Sequence, residues 1–212
     1  MTLAFYPRGG SAQVVRYLGR ALQTLGNDVT VACGSLGSPG VRSNAATFFD
    51  GLKVQALDFT EAVAWFDEGR DPMMAPVPIH PSFEDRSGVP DRVFTSVGDD
   101  AYRLQVAAWQ RLLTEVGPPD VYHVHHLTHV NDAIDLLDSR PMIAHLHGTE
   151  LKMLEQIRGG RAERWPQAAA WDQRLVAAAN RADRIIVISK TDRELAIELL
   201  ELDPVRIDVV PN

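Results

Sequence analysis

The fold is decided by residues 2–34, which read TLAFYPRGGSAQVVRYLGRALQTLGNDVTVACG. The apolar run at 2–6 predicts a strand, and the apolar positions after the Pro-Arg-Gly-Gly turn share one helical face: Val14, Leu18, Leu22 and Leu25. Ser11 is the predicted N-cap of this helix, and Gly26 ends it. Residues 28–33 predict a second strand. Such a strand–helix–strand unit implies parallel strands joined by a right-handed crossover.

The same alternation resumes after residue 98. Helices are predicted at residues 99–116, 130–137, 150–157 and 167–181, and from an N-cap at Ser189 to about residue 200. Strands are predicted at residues 121–125, 141–146, 185–188 and 205–210. The pattern predicts an α/β fold with a Rossmann-like, doubly wound and mainly parallel sheet, covered on both faces and contained in one domain over residues 1–212.

Residues 36–97 interrupt this alternation. A strand is predicted at 54–59, but five prolines crowd residues 72–90, and prolines at that density disfavour helix and central strand. A long irregular excursion is usually functional or disordered. Aromatic and charged residues within it, Glu84 and Arg86 among them, favour an ordered loop that covers a site over a flexible linker.

Composition narrows the function classes. The 212 residues carry a formal net charge of −7 and one cysteine, Cys33, which is predicted to be a small buried strand residue. An acidic balance argues against a nucleic-acid-binding protein and disfavours all but peripheral association with anionic membranes. No apolar run approaches the ~18 residues of a membrane span, and the start lacks the features of a signal peptide. We therefore expect a cytoplasmic protein.

A ligand site is predicted beyond the carboxyl ends of the strands, as in other open parallel sheets. The first cluster there is the Arg8-Gly9-Gly10-Ser11 turn, where glycines allow close backbone approach and a helix N-terminus favours a phosphate or diphosphate. A tight turn that merely needs glycine is the alternative. Neither a dinucleotide fingerprint nor a Walker pattern is present, so an NAD site is disfavoured.

Six of the seven histidines follow two strands that are predicted neighbours. On each strand a pair shares one face: His123 with His125, and His145 with His147. We expect a polar ligand pocket lined by neutral imidazoles, with packed or capping histidines as the alternative. A metal site is not expected, because Leu127 breaks the dinuclear hydrolase pattern and no His-Glu-x-x-His segment occurs.

The run Gly148-Thr149-Glu150 leads into the helix predicted at 150–157, with Thr149 as its N-cap. Four basic residues follow: Lys152, Arg158, Arg161 and Arg164. This pattern favours a solvent-exposed helix face over a binding site for an anionic acceptor.

Five segments, in order along the chain, resemble family 4 glycosyltransferases of the GT-B fold. They are the Gly9-Gly10 turn with residues 25–31 (LGNDVTV), residues 120–125 (DVYHVH), residues 145–150 (HLHGTE), residues 182–189 (ADRIIVIS), and the strand with Pro-Asn at residues 205–212. The loop at residues 80–86, together with the HLHGTE run, looks like uncharacterised actinobacterial members of that family.

The resemblance implies two Rossmann-like domains that face a cleft. This chain would be the N-terminal, acceptor-side domain, and the C-terminal donor-binding domain is absent from it, so the isolated chain is expected to be inactive. A UDP- or GDP-sugar would be the donor substrate and a small molecule or glycan the acceptor, with retention of anomeric configuration and no metal or cofactor. The leaving phosphate would take the acceptor proton.

The resemblance also assigns residues. His147 matches the catalytic histidine that contacts the transferred sugar, and the backbone of Gly9 and Gly10 would meet the donor diphosphate. The acceptor-side candidates are His125, His126, Thr149, Glu150, Glu84 and Arg86. Two alternatives stay open: a non-catalytic α/β module that binds a sugar phosphate or regulates a partner, and a metal-dependent hydrolase that uses the histidine clusters.

Overall fold

The computed structural model describes residues 1–137 and 139–211, and within them the chain forms seven strands and eight α-helices. The strands are β1 (Thr2–Leu3), β2 (Thr30–Ser35), β3 (Lys53–Asp58), β4 (Tyr122–His125), β5 (Met142–His145), β6 (Arg184–Val187) and β7 (Ile207–Val209). The helices are α1 (Gly9–Thr24), α2 (Ala45–Phe48), α3 (Thr60–Asp67), α4 (Asp99–Val116), α5 (His129–Leu137), α6 (Thr149–Arg158), α7 (Ala168–Arg181) and α8 (Lys190–Leu200).

The strands form one parallel sheet in the order β3-β2-β1-β4-β5-β6-β7. Strand β1 is central, with Thr2 in register with Ala32 on β2 and with Val124 on β4. The chain order reverses between β1 and β4, which makes this the topological switch point where ligands bind in open α/β sheets. The predicted Rossmann-like, doubly wound fold is confirmed.

The hydrophobic core lies between the sheet and the helices. Helix α4 contributes one apolar stripe, in which Tyr102, Val106, Trp109 and Leu113 are all buried. Between α7 and the loop before α4, the rings of Trp171 and Phe94 stack with centroids 4.4 Å apart. Cys33 is fully buried on β2, as predicted, and burial raises the pKa of its thiol. No helix in the described ranges is both long and apolar enough to cross a membrane.

Two of the three predicted helix caps are wrong. Helix α1 begins at Gly9, after an extended Arg8, so Ser11 lies inside the first turn and does not cap the helix. Helix α6 begins at Thr149 after Gly148, whose backbone is left-handed at φ +83°, a conformation that glycine adopts without steric cost. The prediction for Ser189 is confirmed, because its Oγ accepts from the backbone N–H of Asp192.

Residues 36–97 are more regular than predicted. Strand β3 lies close to its predicted place, but helices α2 and α3 were not predicted. The proline-rich part is ordered: Ser82 forms a β-bridge with Val93, and buried Gln105 Nε2 donates to the carbonyl of Ile79 over 3.1 Å. This segment therefore packs against the body of the protein as a covering loop and is not a flexible linker.

Near the end of the chain, the predicted strand at residues 205–210 corresponds to β7. Strand β7 pairs with β6 in parallel, and Val210 N donates to the carbonyl of Val187. Asn212 lies outside the described residues.

Candidate functional site

A cavity of about 460 Å³ opens where the chain leaves β1, β4 and β5, at the switch point of the sheet. It is lined by Phe5, Arg8, Gly9, Gly10, Ser11, Ser82, Phe83, Glu84, Arg86, His126, His147 and Thr149. Seven predicted site residues therefore share one cavity: Gly9, Gly10, Glu84, Arg86, His126, His147 and Thr149. His125 and Glu150, also predicted, are buried behind its wall.

One wall of the cavity is the first turn of α1. Gly9 has φ +68°, which lets the chain turn from extended Arg8 directly into the helix. Both glycines are exposed, and a Cβ on Gly10 would meet no described atom within 4 Å. The first backbone N–H groups of a helix have no intrahelical partner and carry partial positive charge. This wall therefore offers backbone donors to an anion.

The opposite wall comes from the covering loop. Arg8 Nη2 and Arg86 Nη2 lie 2.6 and 2.8 Å from the same oxygen, Oδ2 of the nearly buried Asp91. Arg86 Nε is also 3.3 Å from Glu84 Oε2. Asp91 was not a predicted site residue. It ties the loop to the glycine turn at Arg8, and the paired charges leave a polar surface on this side of the cavity.

A buried acid–imidazole pair supports the floor. His126 Nδ1 lies 2.6 Å from Glu150 Oε1, and Thr149 Oγ1 donates to Glu150 Oε2 over 3.2 Å. Burial alone would raise the pKa of Glu150, but the charge and hydrogen bond of His126 outweigh it and lower that pKa to about 2. Glu150 is thus ionised at neutral pH, although its side chain is completely buried.

The backbone of His126 is also unusual, with φ +70° in the left-handed region. Histidine occupies this region rarely, at a cost of order 1–3 kcal/mol. The conformation is held by the Glu150 pair and by a hydrogen bond from His126 N to the carbonyl of His145. Strain of this kind clusters at functional sites.

Comparison with known proteins identifies the family. The model of Glycosyltransferase Family 4 matches residues 8–212. This chain belongs to glycosyltransferase family 4. Membership gives it a glycosyltransferase-type role with sugar-related substrates, and the parallel sheet agrees with the N-terminal half of a GT-B fold. No curated protein matches the chain.

His147, which follows β5, borders the cavity at the switch point of the sheet. Its ring stacks on His145 with centroids 4.7 Å apart, and its Nε2 lies 3.0 Å from His125 Nδ1. Burial, and then the charge of His126, lowers the pKa of His147 to about 3. The imidazole is therefore neutral near pH 7. It can orient a hydroxyl by hydrogen bonding, but it lacks the imidazolium proton of a general acid.

Only two of the six clustered histidines line the cavity, His126 and His147. His129, at the start of α5, is buried against the Trp109 ring and fits the alternative of a packed histidine. His123, His125 and His145 lie together on one face of the sheet, and among the described residues they are the group whose ligand atoms could hold a metal ion.

Three basic residues of α6 and the turn after it, Lys152, Arg158 and Arg164, do not line the cavity. Lys152 is exposed, and Arg158 forms a bidentate pair with Asp172 on α7. Arg164 Nη2 is 3.7 Å from Asp85. These three side chains follow the predicted solvated face, and the side chain of Arg161 lies outside the described part of the structure.

Proposed function

We propose that this chain is the acceptor-binding half of a retaining glycosyltransferase, which moves a sugar from a UDP- or GDP-sugar to a small-molecule or glycan acceptor. One observation carries the proposal: a single cavity brings together the N-terminal turn of α1 at Gly10 and the imidazole of His147. A donor-binding domain would close over this cavity from the other side. Residues 1–212 would then form one domain of a two-domain enzyme, in a cytoplasm that suits the single buried Cys33.

The turn at Gly9 and Gly10 would receive the donor diphosphate. Exposed glycines leave room for phosphate oxygens at the backbone, and the N-terminus of the 16-residue helix α1 favours negative charge there. Negative charge grows on the diphosphate as the glycosidic bond breaks. Fixed backbone N–H groups aimed at it would stabilise the transition state more than the ground state.

His147 would position the transferred sugar next to the diphosphate. Because the pKa of His147 is low, its neutral imidazole would hydrogen-bond a sugar hydroxyl and would neither attack the anomeric carbon nor donate a proton. The departing phosphate oxygen would take the acceptor proton, so that bond breaking and bond formation occur on the same face of the sugar. That course retains the anomeric configuration.

The acceptor would lie against His126, Thr149 and the covering loop. Arg86 and Glu84 are exposed at the rim of the cavity and offer one donor group and one acceptor group. A polar wall of this composition is suited to an acceptor rich in hydroxyl groups.

The sharpest test is Gly10→Ala in the enzyme that carries both domains. Gly10 has room for a methyl group, so the substitution leaves folding intact while it intrudes on a ligand at the backbone. UDP- and GDP-sugars are screened by nucleotide release, and the active donor is then used. The donor KM should rise at least about tenfold, equivalent to about 1.4 kcal/mol, and NMR of the product should report retention.

Gly98→Ala is the matched control. Gly98 is the N-cap of α4, has equal space for a Cβ, and does not line the cavity. Its donor KM should stay at the wild-type value. An unchanged donor KM in Gly10→Ala would refute the proposed donor contact. Binding of a sugar phosphate by the isolated chain, without transferase activity in the longer protein, would favour the non-catalytic module.

A further inference from the structure

Three imidazoles gather on one face of the sheet, outside the cavity just described. His123 and His125 are two residues apart on β4 and therefore share a face, and His145 on β5 is in register with His125. One ring nitrogen from each residue lies within 4.8 Å of those of the other two. His123 Nε2 and His145 Nδ1 lie 3.4 Å apart, within hydrogen-bonding distance of each other.

This separation suits a metal ion. Two imidazole nitrogens that bind zinc at about 2.0–2.1 Å in a tetrahedron are roughly 3.3 Å apart. A set of imidazoles, without a thiolate, is typical of sites for Zn²⁺, Cu²⁺ or Ni²⁺.

Two of the three rings carry a buried nitrogen that lacks a protein partner. His125 and His145 are 0% and 3% exposed, and the Nε2 atom of each finds no hydrogen-bond partner among the residues that the structure describes. An unsatisfied buried polar atom costs about 1–3 kcal/mol. A metal ion held by Nε2 of His125 would give that buried atom a partner, while His145 would bind the ion through Nδ1, the atom that faces His123.

The group also has an entrance of its own. His123 is half-buried and lines a second cavity of about 550 Å³, which also borders Met1, Asp120 and Pro119. This cavity lies at the amino ends of the strands, at the opposite edge of the sheet from Gly10 and His147. An ion could reach His123 from solvent and keep an open position for water.

We propose that His123, His125 and His145 form a binding site for a divalent transition-metal ion of the Zn²⁺ class, entered from the cavity at the amino edge of the sheet. The site is independent of the proposed sugar transfer: the chain binds the ion whether or not a donor or an acceptor is present. Imidazoles on three positions of a rigid sheet give it a fixed framework. The rings are stacked at 5–27° to one another, so binding of an ion requires that they rotate toward it.

The test is a calorimetric titration of Zn²⁺ into the chain, purified without a histidine tag and freed of metal by a chelator. One ion per chain is expected. Co²⁺, titrated in parallel, should give the visible absorption of a tetrahedral site. His123→Asn, at a half-buried position, should weaken Zn²⁺ binding at least ~100-fold, since even loss of an outer-shell partner costs about 10–100-fold. His145→Asn should do the same.

His129→Leu is the control, because it removes a buried imidazole that packs against Trp109 and leaves the three proposed ligands and their hydrogen-bond partners in place. It should bind Zn²⁺ with wild-type affinity. Three results would each overturn the proposal: a folded wild-type chain that takes up no Zn²⁺ in tenfold excess, His123→Asn that binds like wild type, or binding that His129→Leu abolishes and His123→Asn preserves.

Discussion

His126 Nδ1 and Glu150 Oε1 lie 2.6 Å apart in a pair that solvent barely reaches. Because Glu150 is ionised, it accepts a hydrogen bond from Nδ1–H of His126, and this fixes the orientation of the ring. The same contact stabilises the left-handed backbone of His126 at the floor of the cavity. Glu150 therefore acts on the cavity through His126, and its own side chain does not reach the cavity.

Replacing Glu150 should lower the free energy of unfolding by an amount that depends on whether the new side chain can still accept a hydrogen bond from His126. Glu150→Leu leaves His126 without its partner, and we expect the free energy of unfolding to fall by about 3–5 kcal/mol, as for other broken buried pairs. Glu150→Gln keeps an oxygen that can accept from Nδ1–H and should lose only about 1–3 kcal/mol. Urea unfolding measures both.

A double-mutant cycle isolates the pair. With His126→Gln as the background, Glu150→Leu should cost much less than it does in the wild type, because the partner is already gone. Equal costs in the two backgrounds would mean that Glu150 stabilises the protein through other contacts.

His147 should matter for transfer far more than for folding. The side chain is half-buried at the edge of the sheet, so we expect His147→Ala to reduce the free energy of unfolding by about 1 kcal/mol. In the two-domain enzyme the same change should lower kcat at least about 100-fold, equivalent to about 2.7 kcal/mol of transition-state stabilisation. Lys152→Ala, an exposed change on the neighbouring α6, serves as the control with wild-type kcat. Wild-type turnover in His147→Ala would remove the assigned role.

Much of the fold could be predicted, because the spacing of apolar residues shows which side of a helix or strand is buried. Glycine and proline mark where these elements end. The strand–helix–strand unit at the start and the 18-residue helix α4 have several turns of pattern to read, and α4 matches its predicted bounds. Helix α2, with four residues, and α3, with eight, are too short to show a face. Their signals were the residues before them: Asn44 caps α2, and Asp58 accepts from Thr60 N at the start of α3.

The site could be predicted only in part, for a different reason. Residues at strand ends were found because topology brings the carboxyl ends of parallel strands together. The pairing of Arg8 with Asp91 joins positions 83 residues apart, and no local pattern predicts it. Nor does the sequence reveal that the backbone of His126 is left-handed, with φ +70°. The buried contact with Glu150 helps to hold this conformation.

Gly34 offers a test of close packing next to the site. A Cβ on this residue of β2 would lie 2.2 Å from Phe59 Cε2 and 2.8 Å from the backbone nitrogen of Tyr6. The backbone cannot move aside without disturbing the chain that leads to the glycine turn. We expect Gly34→Ala to destabilise the protein by about 3 kcal/mol in thermal or urea unfolding. Gly98→Ala, where a Cβ meets open space, should change stability by less than about 1 kcal/mol, and a similar value for Gly34→Ala would contradict the packing.

Acid should destabilise the protein through His129. This ring is 1% exposed, and burial, then the charge of His80, lowers its pKa from 6.5 to about 3. In the unfolded chain the same imidazole takes up a proton below pH 6.5, so the unfolded state binds more protons between the two values. Stability is therefore full above pH 6.5 and is lost as pH falls toward 3. Between pH 7 and pH 5 the loss from this one group is about 2 kcal/mol.

His129→Leu removes that titration and keeps an apolar side chain against Trp109. In urea unfolding at pH 7, 6 and 5, the variant should lose about 2 kcal/mol less stability than the wild type between pH 7 and pH 5. His80 is also buried with a pKa of about 3, but it is present in both proteins and cancels in the difference. Parallel curves would mean that His129 takes up its proton at the same pH in the folded and unfolded states, and its burial against Trp109 would then have to be revised.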